Sequence, residues 1–108
     1  MDRQQFELAR DIVNEDCESQ GRLRTVAPDG TASFCALGGL MAAIDPDWAM
    51  TGYYDGTASE VIAEVFDLTF QELALIFQAN DKDSWATPES VVERRRRVVA
   101  QLEQFVRD

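Results

Sequence analysis

The chain has 108 residues, one domain's worth of polypeptide. Twenty Asp and Glu against ten Lys and Arg, with no His, leave a net charge of −10. That charge excludes the basic face a nucleic-acid binder presents to phosphate, and it disfavours anionic membrane surfaces. A hydrophobic share of 45% excludes a disordered acidic tail, and two cysteines without histidine leave most zinc sets and catalytic bases absent.

Residues 2–18 place Phe6, Ala9, Ile12, Val13 and Cys17 at helical spacing, with Leu8 beside them. Glu7, Arg10, Asp11, Glu15 and Glu18 fall largely outside that stripe, which predicts an amphipathic helix ended by Gln20-Gly21. Arg22 to Val26 alternates weakly as a short extended segment, and Pro28-Asp29-Gly30 is a turn. A second helix is expected from Thr31 or Ser33 through Phe34, Leu37, Leu40, Met41 and Ile44. It is apolar nearly all round and belongs at the centre of the core. Gly38-Gly39 costs it about 1 kcal/mol per glycine, which suits another helix packed closely on the bare surface. Asp45-Pro46 stops it, because the residue before proline avoids the α region.

Pro46 to Gly56 reads as a loop carrying Trp48, Tyr53 and Tyr54. Thr57 and Glu60 are spaced as a capping box for a third helix that buries Val61, Ile62, Val65 and Phe66. Thr69 and Glu72 repeat the device, with Leu68 and Leu73 as a hydrophobic staple, ahead of a helix with Phe70, Leu73, Ala74, Ile76 and Phe77. Asn80 is suited to its C-terminus. A polar turn around Trp85 leads to Thr87-Pro88-Glu89, the start of a last helix. Its apolar stripe is Val91, Val92, Val98, Val99, Leu102, Phe105 and Val106. The expected fold is an all-α, single-domain bundle of about five helices over residues 1–108, with room for one short hairpin near residues 22–34.

Few residue sets could carry chemistry. Asn80 to Ser84 offers alternating oxygens for calcium, but counting the EF-hand from Asp81 puts Trp85, Ala86 and Val92 at a ligand, glycine and glutamate position. A polar turn fits better. Glu60, Glu64 and Asp67 share one helix face at i, i+4 and i+7, with no apolar wall to raise a carboxyl pKa, so they read as a solvated acidic face. Cys35 stands in the first turn of a helix, which lowers a thiol pKa, yet Phe34, Ala36 and Leu37 suit a buried cysteine. Without histidine no Cys–His or Ser–His pair can form, and Ser59 and Ser90 are helix-start residues. No phosphate-binding glycine motif occurs, and no cofactor is implied.

Arg94 to Arg97 is the only basic run. Four consecutive helical residues span about 300 degrees, so they cannot all face one phosphate backbone. Arg95 lies on the margin of the apolar stripe with its stem buried, and the others can pair with Glu93 or acids of neighbouring helices. Val92, Val99 and Val106 lie seven apart, which allows a homodimer through the last helix beside packing within the bundle. Trp48, Tyr53 and Tyr54 are candidate contact residues unless they fold over an open end of the core.

Phe34-Cys35-Ala36-Leu37-Gly38-Gly39-Leu40 resembles a motif of a family of small, uncharacterised bacterial and phage-encoded helical proteins. Their second helix carries an aromatic, Cys, an apolar pair, Gly, a small residue and Leu. Their Asn-Asp pair before a Thr- or Ser-started helix is similar to Asn80-Asp81 and Thr87 to Val92, with Lys82 to Ala86 as an insertion-like departure. The resemblance implies a helical fold and carries no activity.

Charge segregation supplies the leading functional expectation. With twelve acids against the single base Lys82, residues 25–93 carry −11; with five Arg against two acids, residues 94–108 carry +3. This pattern points to a non-enzymatic interaction protein that binds a basic protein surface, of inhibitor, immunity or phage-accessory type. Glu60, Glu64, Asp67, Trp48, Tyr53 and Tyr54 are its candidate binding residues. The alternatives are a carboxylate-based metal-dependent factor or small enzyme using Asp81, Asp83 and Glu89, and a homodimeric assembly module. No direct nucleic-acid partner and no membrane partner are expected. Met1 to Gln5 shows no basic segment ahead of an apolar run, and Ala32 to Ile44 is too short to span a bilayer, so a cytoplasmic location with reduced thiols is expected.

Overall fold

In a computed structural model that describes residues 1–19, 21–81 and 90–107, the first helix, α1 (Arg3–Asp16), starts on a reciprocal cap. The Asp2 carboxylate accepts the Gln5 N–H at 2.7 Å, and the Gln5 side chain accepts the Asp2 N–H at 2.8 Å. Phe6, Ala9, Ile12 and Val13 are buried as the spacing predicts. Beyond Cys17 the chain is tied to a short hairpin, because the N–H groups of Glu18 and Ser19 both donate to the Phe34 carbonyl.

That hairpin pairs β1 (Arg24–Val26) with β2 (Ala32–Phe34) antiparallel, in the register Arg24 to Phe34 and Val26 to Ala32. The Asp29 carboxylate accepts the Thr31 N–H within the turn, and this bond holds its pKa below the usual range. The hairpin takes Ala32 to Phe34 away from the second helix. That helix, α2 (Ala36–Ile44), starts later than the sequence suggests, with Cys35 as its cap and the Cys35 Sγ accepting the Gly38 N–H at 3.4 Å.

Every residue from Ala36 to Met41 is buried, and α2 packs against α1 and the next three helices. The glycine pair behaves differently from expectation at one position. A Cβ on Gly39 would meet the Ile12 side chain of α1 at 3.4 Å, but a Cβ on Gly38 would lie 1.8 Å from the Leu23 carbonyl oxygen. Gly38 therefore admits the backbone leading into β1, not a helix.

The loop expected after Pro46 begins with a helix, α3 (Pro46–Thr51). Asp45 ends α2 and caps α3 in one residue, its carboxylate accepting the Asp47 and Trp48 N–H groups, while Pro46 takes the first helical position. Helix α4 (Ala58–Phe66) buries Ile62 and Phe66, whereas Val65 is 43% exposed. Its expected box is not formed, since Thr57 makes no side-chain cap bond. The second box is: the Thr69 hydroxyl accepts the Glu72 N–H at 3.1 Å, Glu72 accepts the Thr69 N–H at 2.9 Å, and Leu68 and Leu73 are buried beside it. It opens α5 (Phe70–Asp81).

The last helix is α6 (Val91–Glu103), capped by the Ser90 hydroxyl. Lys82 to Glu89, including the turn around Trp85 and the Thr87-Pro88-Glu89 start, lie outside the described residues. Val98, Leu102 and Phe105 are buried, but Val92 points outward and Arg94 takes a buried place. The result is an all-α bundle with one small hairpin. No helix among the described residues is long and apolar enough to cross a membrane.

Candidate functional site

The predicted acidic face is partly formed. Glu60 and Glu64 are exposed along α4. Asp67 does not share that helix face: it follows the helix in the left-handed region at φ 52 and ends it. Its carbonyl accepts the Met1 nitrogen at 3.1 Å and the Arg107 guanidinium at 3.2 Å, and its carboxylate lies 3.9 Å from the Met1 nitrogen. Asp67 is thus a structural joint whose carboxylate still faces solvent.

The three aromatics separate as well. Trp48 is buried, with its ring centroid 5.8 Å from that of Phe34, so it fastens α3 to the hairpin. Tyr54 is half-buried against the core and beside Gly56. Tyr53, 71% exposed, is the one of these three left free for contact. The six candidates therefore do not converge on one cavity.

Three residues of the arginine run are directed inward, and Arg96 is exposed. Arg94 donates to the Glu18 carbonyl at 2.8 Å. Arg95 donates to the carbonyls of Cys17, Asn14 and Glu15, the unpaired end of α1. Arg97 donates to the Ala79 carbonyl in the last turn of α5. Arg107 joins them at the end of α4 and grips the Glu72 carboxylate through both oxygens, at 2.6 and 2.7 Å. Burial pushes the Glu72 carboxyl up, but the Thr69 amide and Arg107 outweigh it and the pKa falls below its usual value. Helices α1, α4 and α5 have no base of their own in the last turn, so the C-terminal arginines supply the cations their dipoles favour.

A polar cluster that the sequence reading placed in a turn lies in the core. Asn80 is fully buried within α5. Its Oδ1 accepts the Cys17 thiol and the Ala36 N–H, each at 3.1 Å. Its Nδ2 donates to the Ser19 carbonyl and to the Asp81 carboxylate. Asn80 thereby binds α5 to the end of α1 and the start of α2. The signal in the sequence was its spacing from Leu73 and Ile76, which set the buried face of α5; its polarity hid it.

Both cysteines are buried and reduced. Burial, with the Cys35 sulfur nearby, pushes the Cys17 thiol up to about 11, and burial raises Cys35 despite its place at a helix start. The position at a helix N-terminus does not make Cys35 a nucleophile, because desolvation exceeds the effect of the Gly38 amide. Of the carboxylates considered for metal, Asp81 accepts the N–H of Gly21 and the Asn80 amide, while Asp83 and Glu89 lie outside the described residues. Among the described residues no group of three or more His, Cys, Asp or Glu could hold a metal ion.

One apolar concavity was missed. Phe70 and Phe77, which belong to the apolar set of α5, are 61% and 36% exposed and line a groove of about 490 Å³ with Leu23, Leu37 and Leu73. Compared with protein-family models, with curated proteins and with solved structures, the chain matches none of them.

Proposed function

We propose that this is a non-enzymatic interaction protein that binds a basic protein surface, as an inhibitor, an immunity protein or a phage accessory factor would. The supporting observation is the destination of the arginines: Arg94, Arg95 and Arg97 bond to backbone carbonyls and leave Glu60 and Glu64 uncovered. An acidic face of this kind steers cationic partners and weakens as salt rises. The proposed location is the cytoplasm, where buried thiols such as Cys17 and Cys35 stay reduced. The test is affinity capture on the whole protein at about 0.05 M and about 0.5 M salt. A basic protein retained at the lower salt and released at the higher supports the reading, and the lack of any salt-sensitive basic partner refutes it.

A second reading, self-association through α6, is favoured by one observation. Val92 is 63% exposed and lines a concavity of about 430 Å³ with Asn14, Arg95, Arg96 and Val99. Sedimentation at micromolar concentration decides it, since a monomer rejects a dimer through this helix.

A further inference from the structure

The groove on α5 has a floor and walls that folding already fixes. Leu73 at its base is 4% exposed, and the wall at Leu23 is set because that backbone is wedged against Gly38. Phe70 and Phe77 stand on the same helix seven residues apart, about 10 Å at 1.5 Å per residue. That spacing matches two turns of a second helix lying along α5. Ser59, Ala74 and Gln78 complete the lining, and Glu60 follows Ser59 directly.

The charge on helices α2 to α5 has one sign, and Arg97 of α6, which lines the adjoining concavity with Phe77 and Asp81, is turned onto the Ala79 carbonyl. Helices α2, α3, α4 and α5 carry Asp47, Glu60, Glu64, Glu72 and Asp81, and no Lys or Arg. Glu72 is held by Arg107, which leaves Glu60 beside the lining Ser59, Glu64 exposed one turn further along α4, and Asp81 at the end of the helix that bears both phenylalanines. On the hairpin side the bases are Arg22 and Arg24, and Arg24 is turned onto the Ala49 and Met50 carbonyls.

We infer that this groove docks a cationic amphipathic helix of a partner protein. Its apolar stripe sits on Phe70 and Phe77, and its Lys or Arg side chains face Glu60, Glu64 and Asp81. An apolar groove between acidic flanks recognises both features together, as helix-in-groove binding requires. The inference rests on the proposed function and narrows it from a basic surface to a basic helix.

The experiment uses the whole protein and two synthetic probes, a Leu/Lys peptide of about 18 residues with one apolar face and a scrambled peptide of equal composition with none. Binding is measured by fluorescence anisotropy at low and high salt. The amphipathic peptide is expected to bind at least about tenfold more tightly than the scrambled one. Phe70→Ser should weaken it about tenfold, with Phe77→Ser as the second variant and a thermal melt as the check of folding. Glu60→Gln with Glu64→Gln should weaken it and flatten its salt dependence. Equal binding of both peptides, unchanged by either serine variant, overturns the groove while leaving a basic-surface binder intact. No salt-sensitive binding of either peptide removes both readings. Self-association that Phe70→Ser abolishes, without peptide binding, assigns the groove to a second copy and overturns the inference.

Discussion

Replacing Asn80 by alanine removes four hydrogen bonds to Cys17, Ala36, Ser19 and Asp81 from a fully buried side chain. Two of the groups left behind can recover. The Asp81 carboxylate still has the Gly21 N–H, and a thiol is a weak donor that loses little. The Ala36 N–H and the Ser19 carbonyl are the ones that matter. Ala36 is 0% exposed and begins α2, where its N–H has no intrahelical partner. An orphaned buried backbone group costs about 1–3 kcal/mol, so Asn80→Ala should destabilise the protein by about 2–5 kcal/mol once the small cavity is included. Against a typical stability of about 5–15 kcal/mol that is a large fraction, equivalent to a fall in Tm of at least about 8 °C.

Urea unfolding followed by circular dichroism measures the effect. Asn80→Leu separates the two causes, because leucine restores the volume and none of the bonds. If hydrogen bonding dominates, the leucine variant stays well below the native protein. A loss under about 0.5 kcal/mol for alanine, or native stability for leucine, would refute the account of Asn80 as the joint between three helices.

Other consequences can be checked on the same protein. Gly38→Ala should cost about 3 kcal/mol or more because its Cβ would overlap the Leu23 carbonyl, whereas Gly39→Ala should be neutral or stabilise by up to about 1 kcal/mol; paired urea titrations compare them. Cys17 should resist a thiol reagent at pH 8 in the folded protein and react on unfolding, since its pKa is raised to about 11. Its folded pKa exceeds the unfolded value of 9.0, so the unfolded chain ionises first, and stability present below pH 9 falls by about 2–3 kcal/mol as pH rises towards 11. Cys17→Ala should flatten that alkaline decline in thermal melts. Arg95→Ala should cost about 1–2 kcal/mol through the freed carbonyls at the end of α1, and Arg95→Lys should recover only part, because one ammonium cannot reach all three.

The features legible in the sequence are the ones whose causes lie within a few residues. Thr69, Glu72, Leu68 and Leu73 announce a helix start because cap and staple are both local. Helix α3 is hidden in the sequence because Asp45-Pro46 signals a stop, and the same dipeptide supplies an N-cap and a first-turn proline for the next helix. Glu60 and Glu64 are legible as solvated acids, since their i, i+4 spacing puts them on the helix face opposite Ile62 and Phe66. Trp48 was not legible as core, because its partner Phe34 comes from a strand that the second-helix reading had absorbed. The buried face of α5 depends on Asn80 meeting groups from Cys17 and Ala36, separations of 63 and 44 residues that no local pattern encodes. Once Asn80 is placed inward with Leu73 and Ile76, Phe70 and Phe77 fall on the margin of the buried face, where they line the groove.

The net charge of −10 could have been masked within the fold, and what prevents this is the choice of partners for the arginines. An arginine paired with a carboxylate removes one negative charge from the surface. An arginine bonded to backbone carbonyls offsets a helix dipole instead and leaves the carboxylates free. Arg94, Arg95 and Arg97 take the second course, and Arg107 divides between the Asp67 carbonyl and Glu72. The cationic helix α6 packs on α1 and α5, so its charge is placed away from the outer face of α4. Glu60 and Glu64 remain exposed on that face. The basic end of the chain therefore stabilises the fold at three helix ends, and the acidic face is left for a cation from outside.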